Sequence, residues 1–369
     1  MSRSRVRRVI LFLHNRYRTT GGEERVVEDL RWLVREHLGE DAELLERDSA
    51  TLGRARAATG LLAGGLAPRD VAEAVRLTGA RIVHAHNVNP TLGWRSLAAA
   101  REAGARVVLH LHNYRLVCAV GTCFTRGEDC TRCHGRNTFP GVRLNCRGTG
   151  AEAAVYGASL ALWQRRVAAQ VDRFVVPSEF ALERLRTLGA PVADAHVVPP
   201  VVRAFADTPT FDPDGPALVA SRLAPEKGVD VAIEACRRAG RALVIAGDGP
   251  ERAALEHLAQ GADVRFAGRV APEELAELRA AASVAIVPSR SAETFGLSAA
   301  EAIAAGLPVV ASRVGALPEL LPDGALVAPN DPAALAAALA APPPPDIGRV
   351  RRTCAPDAVV AALAAAYAA

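Results

Sequence analysis

Short β-branched or leucine-rich runs alternate with longer amphipathic stretches along this whole chain. That rhythm is the mark of βα units, in which each strand is followed by a helix that covers it, and it leads to parallel sheets with helices on their faces. In the first half Val9–Leu13, Ala42–Leu45, Arg81–His84, Val107–His110 and Arg173–Val176 read as strands, with helices such as Glu23–Glu36 and Ser96–Ala103 between them. In the second half Ala217–Val219, Ala242–Ala246, Val264–Ala267, Val284–Val287, Val309–Ala311 and Leu326–Ala328 repeat the pattern. The expected class is α/β, with one Rossmann-like sheet per half facing the other across a cleft. A chain of 369 residues exceeds what one core normally supports. Val197–Pro216 holds Pro199, Pro200, Pro209, Pro213 and Pro216, and reads as a linker because proline lacks a donor and fixes φ. The expected domains are residues 1–205 and 206–345. After the break Pro342–Pro345, residues 346–369 end in a helix near Pro356–Ala368 that is expected to pack back on the first domain.

An apolar content of 50% with 23% charged residues excludes a disordered or collagen-like chain. No apolar run approaches the roughly 18–20 residues a membrane-spanning helix needs. The apolar residues Val9–Leu13 near the start are too few for the core of a secretory signal, so a cytoplasmic protein is expected. Charge is unevenly divided: residues 1–205 carry 30 arginines against 20 acidic residues, and residues 206–369 carry 14 basic against 20 acidic ones. A basic first half suits an anionic partner, such as a membrane surface, a phosphorylated acceptor or nucleic acid, or is scattered surface arginine. Lys227 is the only lysine.

Ligands of such sheets bind where strand-end loops meet helix N-termini. After the first strand, Thr19-Thr20-Gly21-Gly22-Glu23-Glu24 places a glycine pair at a helix start, where bare amides can approach a phosphate or the reacting sugar. Ser221-Arg222-Leu223-Ala224-Pro225-Glu226-Lys227-Gly228 follows the first strand of the second half, and Arg222 and Lys227 on one loop can clamp a diphosphate. Gly247-Asp248-Gly249-Pro250 is a tight turn that lets backbone approach a base or ribose. Glu293-Thr294-Phe295-Gly296-Leu297-Ser298-Ala299-Ala300-Glu301 leads from a strand into a helix. If the helix begins at Glu293, Glu301 lies two turns inward, about 12 Å along the axis. The two carboxylates would then accept from sugar and ribose hydroxyls while the amides of Phe295, Gly296 and Leu297 face phosphate.

Taken together with Gly306-Leu307-Pro308-Val309-Val310 and Gly315-Ala316-Leu317-Pro318-Glu319, these motifs resemble the retaining family 4 glycosyltransferases of GT-B fold. The resemblance spans nearly the whole chain and is strongest in the second half. It implies that Glu293 meets donor-sugar hydroxyls, that Glu301 holds the ribose, that Arg222 and Lys227 bind the diphosphate, and that His112 in His110-Leu111-His112-Asn113-Tyr114 is the active-site histidine. The chain departs from many relatives in carrying Asn113 where they have aspartate. It also lacks the tryptophan or proline often found near the first glutamate.

A second constellation is Cys118, Cys123, Cys130, Cys133 and Cys146, within 29 residues. Cys130-Thr131-Arg132-Cys133 is a CxxC knuckle, and with Cys118 and Cys146 it offers four thiolates at spacings compatible with a structural zinc; a redox-labile cluster is the other reading. His134 adjoins the cluster. A subset of the resembled family carries cysteines here, in its acceptor domain. His84-Ala85-His86-Asn87 ends a strand, so His86 and Asn87 are expected at the acceptor.

The expected function is transfer of a sugar from a nucleoside diphosphate sugar to an acceptor hydroxyl with retained anomeric configuration, in polysaccharide or glycoconjugate synthesis. The acceptor would be a sugar, a lipid-linked compound or another small molecule, with peripheral contact to an anionic membrane. No cofactor is expected for catalysis, since Arg222 and Lys227 supply positive charge at the diphosphate. The alternatives are a nucleotide-sugar epimerase or hydrolase on the same fold, or a zinc-containing nucleic-acid-binding protein. The last lacks the aromatic interleaving that nucleic-acid binding calls for, and no nucleic acid is expected.

Overall fold

The computed structural model describes residues 8–17 and 21–368. The chain divides into two compact units, one of Met1–Cys123, Cys130–Val201 and Pro356–Ala369, the other of Phe124–Asp129 and Val202–Ala355. The helix Ile347–Cys354 thus belongs to the second unit and the helix Pro356–Ala368 to the first.

Among the described residues up to 200, eight strands occur: β1 (Val9–Arg16), β2 (Asp41–Asp48), β3 (Ile82–Ala85), β4 (Arg106–His110), the short pair β5 (Phe124–Thr125) and β6 (Glu128–Asp129), β7 (Arg173–Val176) and β8 (Ala195–Val197). Six of them form a parallel sheet in the order β2-β1-β3-β4-β7-β8. The central strand β1 is buried from Ile10 to Asn15, as a strand must be when helices cover both faces. β1 and β2 each run beyond the apolar runs Val9–Leu13 and Ala42–Leu45, because the ladder carries Asn15 opposite Arg47 and Arg16 opposite Asp48. β8 ends on Val197, the first residue of the stretch read as linker; it is a three-residue edge strand with partly buried residues and therefore no apolar run. The helix Pro356–Ala368 buries Val359, Leu363, Ala366 and Tyr367, and the Arg106 guanidinium donates to the Tyr367 carbonyl at 2.8 Å.

The second unit holds β9 (Ala217–Ala220), β10 (Leu243–Ala246), β11 (Val264–Gly268), β12 (Val284–Val287), β13 (Val309–Ser312) and β14 (Leu326–Val327), all parallel in the order β11-β10-β9-β12-β13-β14. Successive residues of a strand face opposite sides. Leu218, Val244 and Ala285 accordingly join one buried cluster, and Val219, Ile245 and Ile286 the other. Two cores on one sheet explain why these strands are continuously apolar.

Chain order reverses beside the first strand in both sheets, between β1 and β3 and between β9 and β12. In open α/β sheets the crevice outside the carboxyl ends at such a reversal is where ligands bind. The His86, Asn87 and His14 side chains lie at the first of these points, and the loops carrying Arg222, Lys227 and Glu293 at the second. Among the described residues, no helix is long and apolar enough to cross a membrane.

Candidate functional site

In the second unit the loop after β9 makes a single tight turn, Pro225–Lys227, and the loop after β12 brings Glu293 against it. Lys227 Nζ donates to Glu293 Oε1 at 2.6 Å, and the Ser289 hydroxyl donates to the same oxygen at 2.5 Å. Burial pushes the Glu293 carboxyl upward, but the Lys227 charge and hydrogen bond, helped by Ser289, hold it below its ordinary value. The result is a carboxylate fixed on one oxygen, with an ammonium that has further donors to offer. Arg222 pairs with Glu226 four residues on and is partly exposed, so its guanidinium remains accessible to an anion.

Glu293 does not begin a helix. Gly296 takes φ +98°, and the helix is Leu297–Ala304. A φ in that region disfavours any side chain, and a Cβ there would also press on Leu317 Cδ2 at 2.6 Å. Phe295 is buried in the core, and Leu297 is the first helical residue. Glu301 is inside the helix and paired with Arg279 at 2.5 Å, both side chains 11% exposed. The axial separation expected for two glutamates on one helix therefore does not hold. Gly249 has a local reason of its own, since a Cβ there would meet the Leu223 carbonyl oxygen at 2.2 Å where two strand-end loops touch.

In the first unit Thr19 and Thr20 lie outside the described residues. Gly21 precedes the helix Gly22–Leu33 with extended backbone, and Glu24 closes the turn by accepting from the Gly21 amide at 2.7 Å and the Tyr17 amide at 3.1 Å. Glu23 points the other way. It accepts from the Tyr17 hydroxyl at 2.9 Å and the Asn113 amide at 3.4 Å, and burial raises its pKa despite the nearby Arg115 charge. The Arg115 guanidinium lies 4.4 Å from the centre of the Tyr17 ring.

His112 meets His86 through Nε2 and Nδ1 at 2.7 Å. Asn113, in the place of the usual aspartate, instead bonds Tyr17, Glu23 and the Arg115 amide. The ring of His112 is thus oriented by a second imidazole. Register accounts for the contact: β1, β3 and β4 place Phe12 beside His84 and His84 beside Val108, so His84, His86, His110 and His112 share one face of the sheet. Their rings stack, His110 on His112 at 4.1 Å and 18°, His86 on His112 at 5.1 Å and 13°. Burial lowers the pKa of all four, His84 to about 3. Asn87 donates to the Asn15 carbonyl at 2.6 Å and accepts from the Asn89 amide at 3.2 Å, so its amide ties strand ends together.

Ligand nitrogens of His84, His86 and His110 lie within 4.8 Å of one another, the distance range of a metal site. The ring planes of His84 and His110 differ by only 6°, however, which sets their in-plane lone pairs side by side rather than convergent. The geometry suits a stack of neutral rings. Of the four thiols expected at zinc, Cys118 has other contacts. Cys118 accepts from Cys123, outside the expected four, and from the amides of Val120, Gly121 and Cys123, which hold it down to about 6. Among the described residues no three cysteines form a group with sulfurs mutually within 4.8 Å, and no disulfide joins any of them.

Ser289, Arg279, Glu23, Tyr17 and Arg115 were not singled out from the sequence. Ser289 stands four residues before Glu293, a spacing that carried its only signal.

Residues 5–200 match the family described as the glycosyl transferase 4-like domain, and residues 216–341 match the glycosyl transferases group 1. The chain belongs to the family 4 glycosyltransferases. It is 32% identical over 282 residues to a D-inositol 3-phosphate glycosyltransferase of Xylanimonas cellulosilytica, covering 68% of this chain and 67% of that protein. It is 36% identical over 196 residues to the GDP-mannose-dependent alpha-(1-6)-phosphatidylinositol dimannoside mannosyltransferase of Mycobacterium tuberculosis, covering 47% of this chain and 50% of that enzyme. The chain thus spans about half the length of the latter. Among solved structures, a sucrose-phosphate synthase from Thermosynechococcus elongatus superimposes with a TM-score of 0.70 at 19% identity over 98% of both chains. The likeness establishes the GT-B fold for this family member.

Proposed function

We propose that this glycosyltransferase moves a sugar from a nucleoside diphosphate sugar to an acceptor hydroxyl with retention at the anomeric carbon. The observation that carries this reading is the Lys227–Glu293–Ser289 cluster at the strand reversal of the second sheet. Cleavage of the donor builds charge on the departing diphosphate and on an oxocarbenium-like carbon, and positioned cations meet the first demand. Lys227 keeps donors to offer phosphate oxygens, and Arg222 adds a fork. Glu293, ionised and fixed through Oε1, presents Oε2 to sugar hydroxyls. Glu301, steadied by Arg279, is suited to accept from ribose hydroxyls.

The first unit supplies the acceptor side. His112, held neutral and oriented by His86, can accept or donate at the sugar, and Glu23 beside it is a carboxyl whose burial favours the protonated form. The amides at Gly21 and Gly22 open the helix beside these groups. A cytoplasmic location with peripheral contact to an anionic membrane is part of the same reading, supported by the 30 arginines of residues 1–205. The relatives' names support a glycoconjugate acceptor, one of them acting on phosphatidylinositol dimannoside.

Incubation with a panel of radiolabelled UDP- and GDP-sugars and mixed acceptors tests the proposal. Label transferred to an acceptor with the configuration of the donor supports it; isomerised donor, or nucleotide release with water as the only acceptor, overturns it.

A further inference from the structure

A cavity in the first unit is lined by Glu23, His112 and Arg115 and also by side chains of a different character, Leu61, Trp94, Leu116, Leu160, Trp163 and Val167. Trp163 ties this apolar group together, its ring against Trp94 and its Nε1 on the Leu61 carbonyl. Trp94 and Trp163 are two of only three tryptophans in the chain. Their ring centres lie 5.9 Å apart, with the Arg166 guanidinium 5.0 Å from each.

Tryptophan alone would serve a sugar as well as an apolar group, because sugars also stack on aromatic faces. The polar side chains settle which it suits. Here Ser159 and Trp163 Nε1 both donate to the Leu61 carbonyl at 3.0 Å, and Gln164 donates to the carbonyls of Leu116 and Gly135 at 2.8 and 2.9 Å. The N–H and O–H donors of these three side chains are all spent on backbone carbonyls, so they offer none to a sugar's oxygens. Trp94 Nε1 is a buried donor with no acceptor, set among six apolar side chains. A hydroxyl-rich ligand would give up hydrogen bonds to water and recover few of them here. An apolar chain or ring gives up none and gains by leaving water.

We infer that the acceptor is amphipathic: its reacting hydroxyl lies at the Glu23–His112 end and an apolar aglycone fills the Trp94–Trp163 end. The inference rests on the transferase reading and narrows its acceptor class. The wall is built to stay open. Gly64 takes φ +74°, and a Cβ there would meet Trp94 Nε1 at 2.1 Å, so a side chain would force the indole from its place.

Calorimetric titration of the full chain with octyl β-D-glucopyranoside below its micelle concentration, and with methyl β-D-glucopyranoside, tests this without requiring turnover. Octyl glucoside should bind at least tenfold more tightly. Leu160→Glu and Val167→Phe, on the helix Gly150–Ala169, should each remove most of that advantage while leaving GDP and UDP binding unchanged. Two variants of opposite kind, one adding charge and one adding volume, guard against misfolding of either. Equal affinity for the two glucosides overturns the inference, as does an octyl advantage that survives both substitutions. In either case retained nucleoside diphosphate binding would show that the donor half of the proposed function stands by itself.

Discussion

At Glu293 one carboxylate oxygen takes two hydrogen bonds, so its charge depends on Lys227 more than on any other single group. Lys227→Ala should therefore act twice, removing a phosphate donor and letting burial raise the Glu293 carboxyl. We expect kcat/KM for sugar transfer to fall at least 100-fold, about 2.7 kcal/mol of transition-state stabilisation. The melting temperature should move by only a few degrees, because neither group is in an apolar core. Ser289→Ala should cost less, about tenfold, since one neutral hydrogen bond is lost. Steady-state kinetics with thermal denaturation of the same samples checks both, and a large stability loss with normal turnover would reverse the assignment. His86 is a positioning residue for His112. His86→Phe keeps the stack but removes the bond, so it should lower kcat with little change in KM for the donor and shift the pH profile, whereas a purely structural role would leave the profile in place.

The stacked histidines give the first sheet a distinct acid response. Their folded pKa values are depressed below the unfolded value of about 6.5, so the unfolded chain binds more protons at lower pH. Stability is thus fully present above pH 6.5 and is lost as pH falls, by about 1.4 kcal/mol per pH unit for each neutral histidine while the folded ring remains unprotonated. The expected result is a steep fall in melting temperature of the first unit between pH 6.5 and 5. His110→Phe tests the cause, since both His110 nitrogens are buried without hydrogen-bond partners and a phenyl ring can occupy the stack. The variant should melt higher than the parent at pH 5 and show a shallower slope; an unchanged slope would place the acid sensitivity elsewhere.

The first unit is completed by a segment from the far end of the chain. Tyr367 of the terminal helix places its hydroxyl 2.8 Å from His84 Nδ1, and that ring lies fully buried in the sheet. A chain ending at Ala355 should leave His84 and the apolar residues Val359 and Leu363 once covered uncompensated. Differential scanning calorimetry should then show the first unit melting earlier by several degrees. GDP or UDP binding by the second unit should be retained, because its sheet and loops end at Ala355. Loss of nucleotide binding in this truncation would contradict that division.

The alternation of apolar runs determined the α/β class and both sheets, because a strand buried on both faces writes itself as continuous Val, Ile, Leu and Ala. The loops carrying Lys227 and Glu293 were likewise legible, since each directly follows an apolar strand. Tertiary structure decided what required distant partners. The helix after β12 starts at Leu297, not Glu293, because Gly296 takes left-handed backbone at φ +98°, which interrupts helical dihedrals just before it. Cys118 meets Cys123, outside the four thiols expected together, since spacing reports separation along the chain and not where sulfurs point. Arg279 reaches Glu301 from another helix, and His86 orients His112 only because β3 and β4 are adjacent and in register. Sequence determines which residues are hydrophobic, charged or free to turn; the pairing of strands and the packing of helices decide which of them touch.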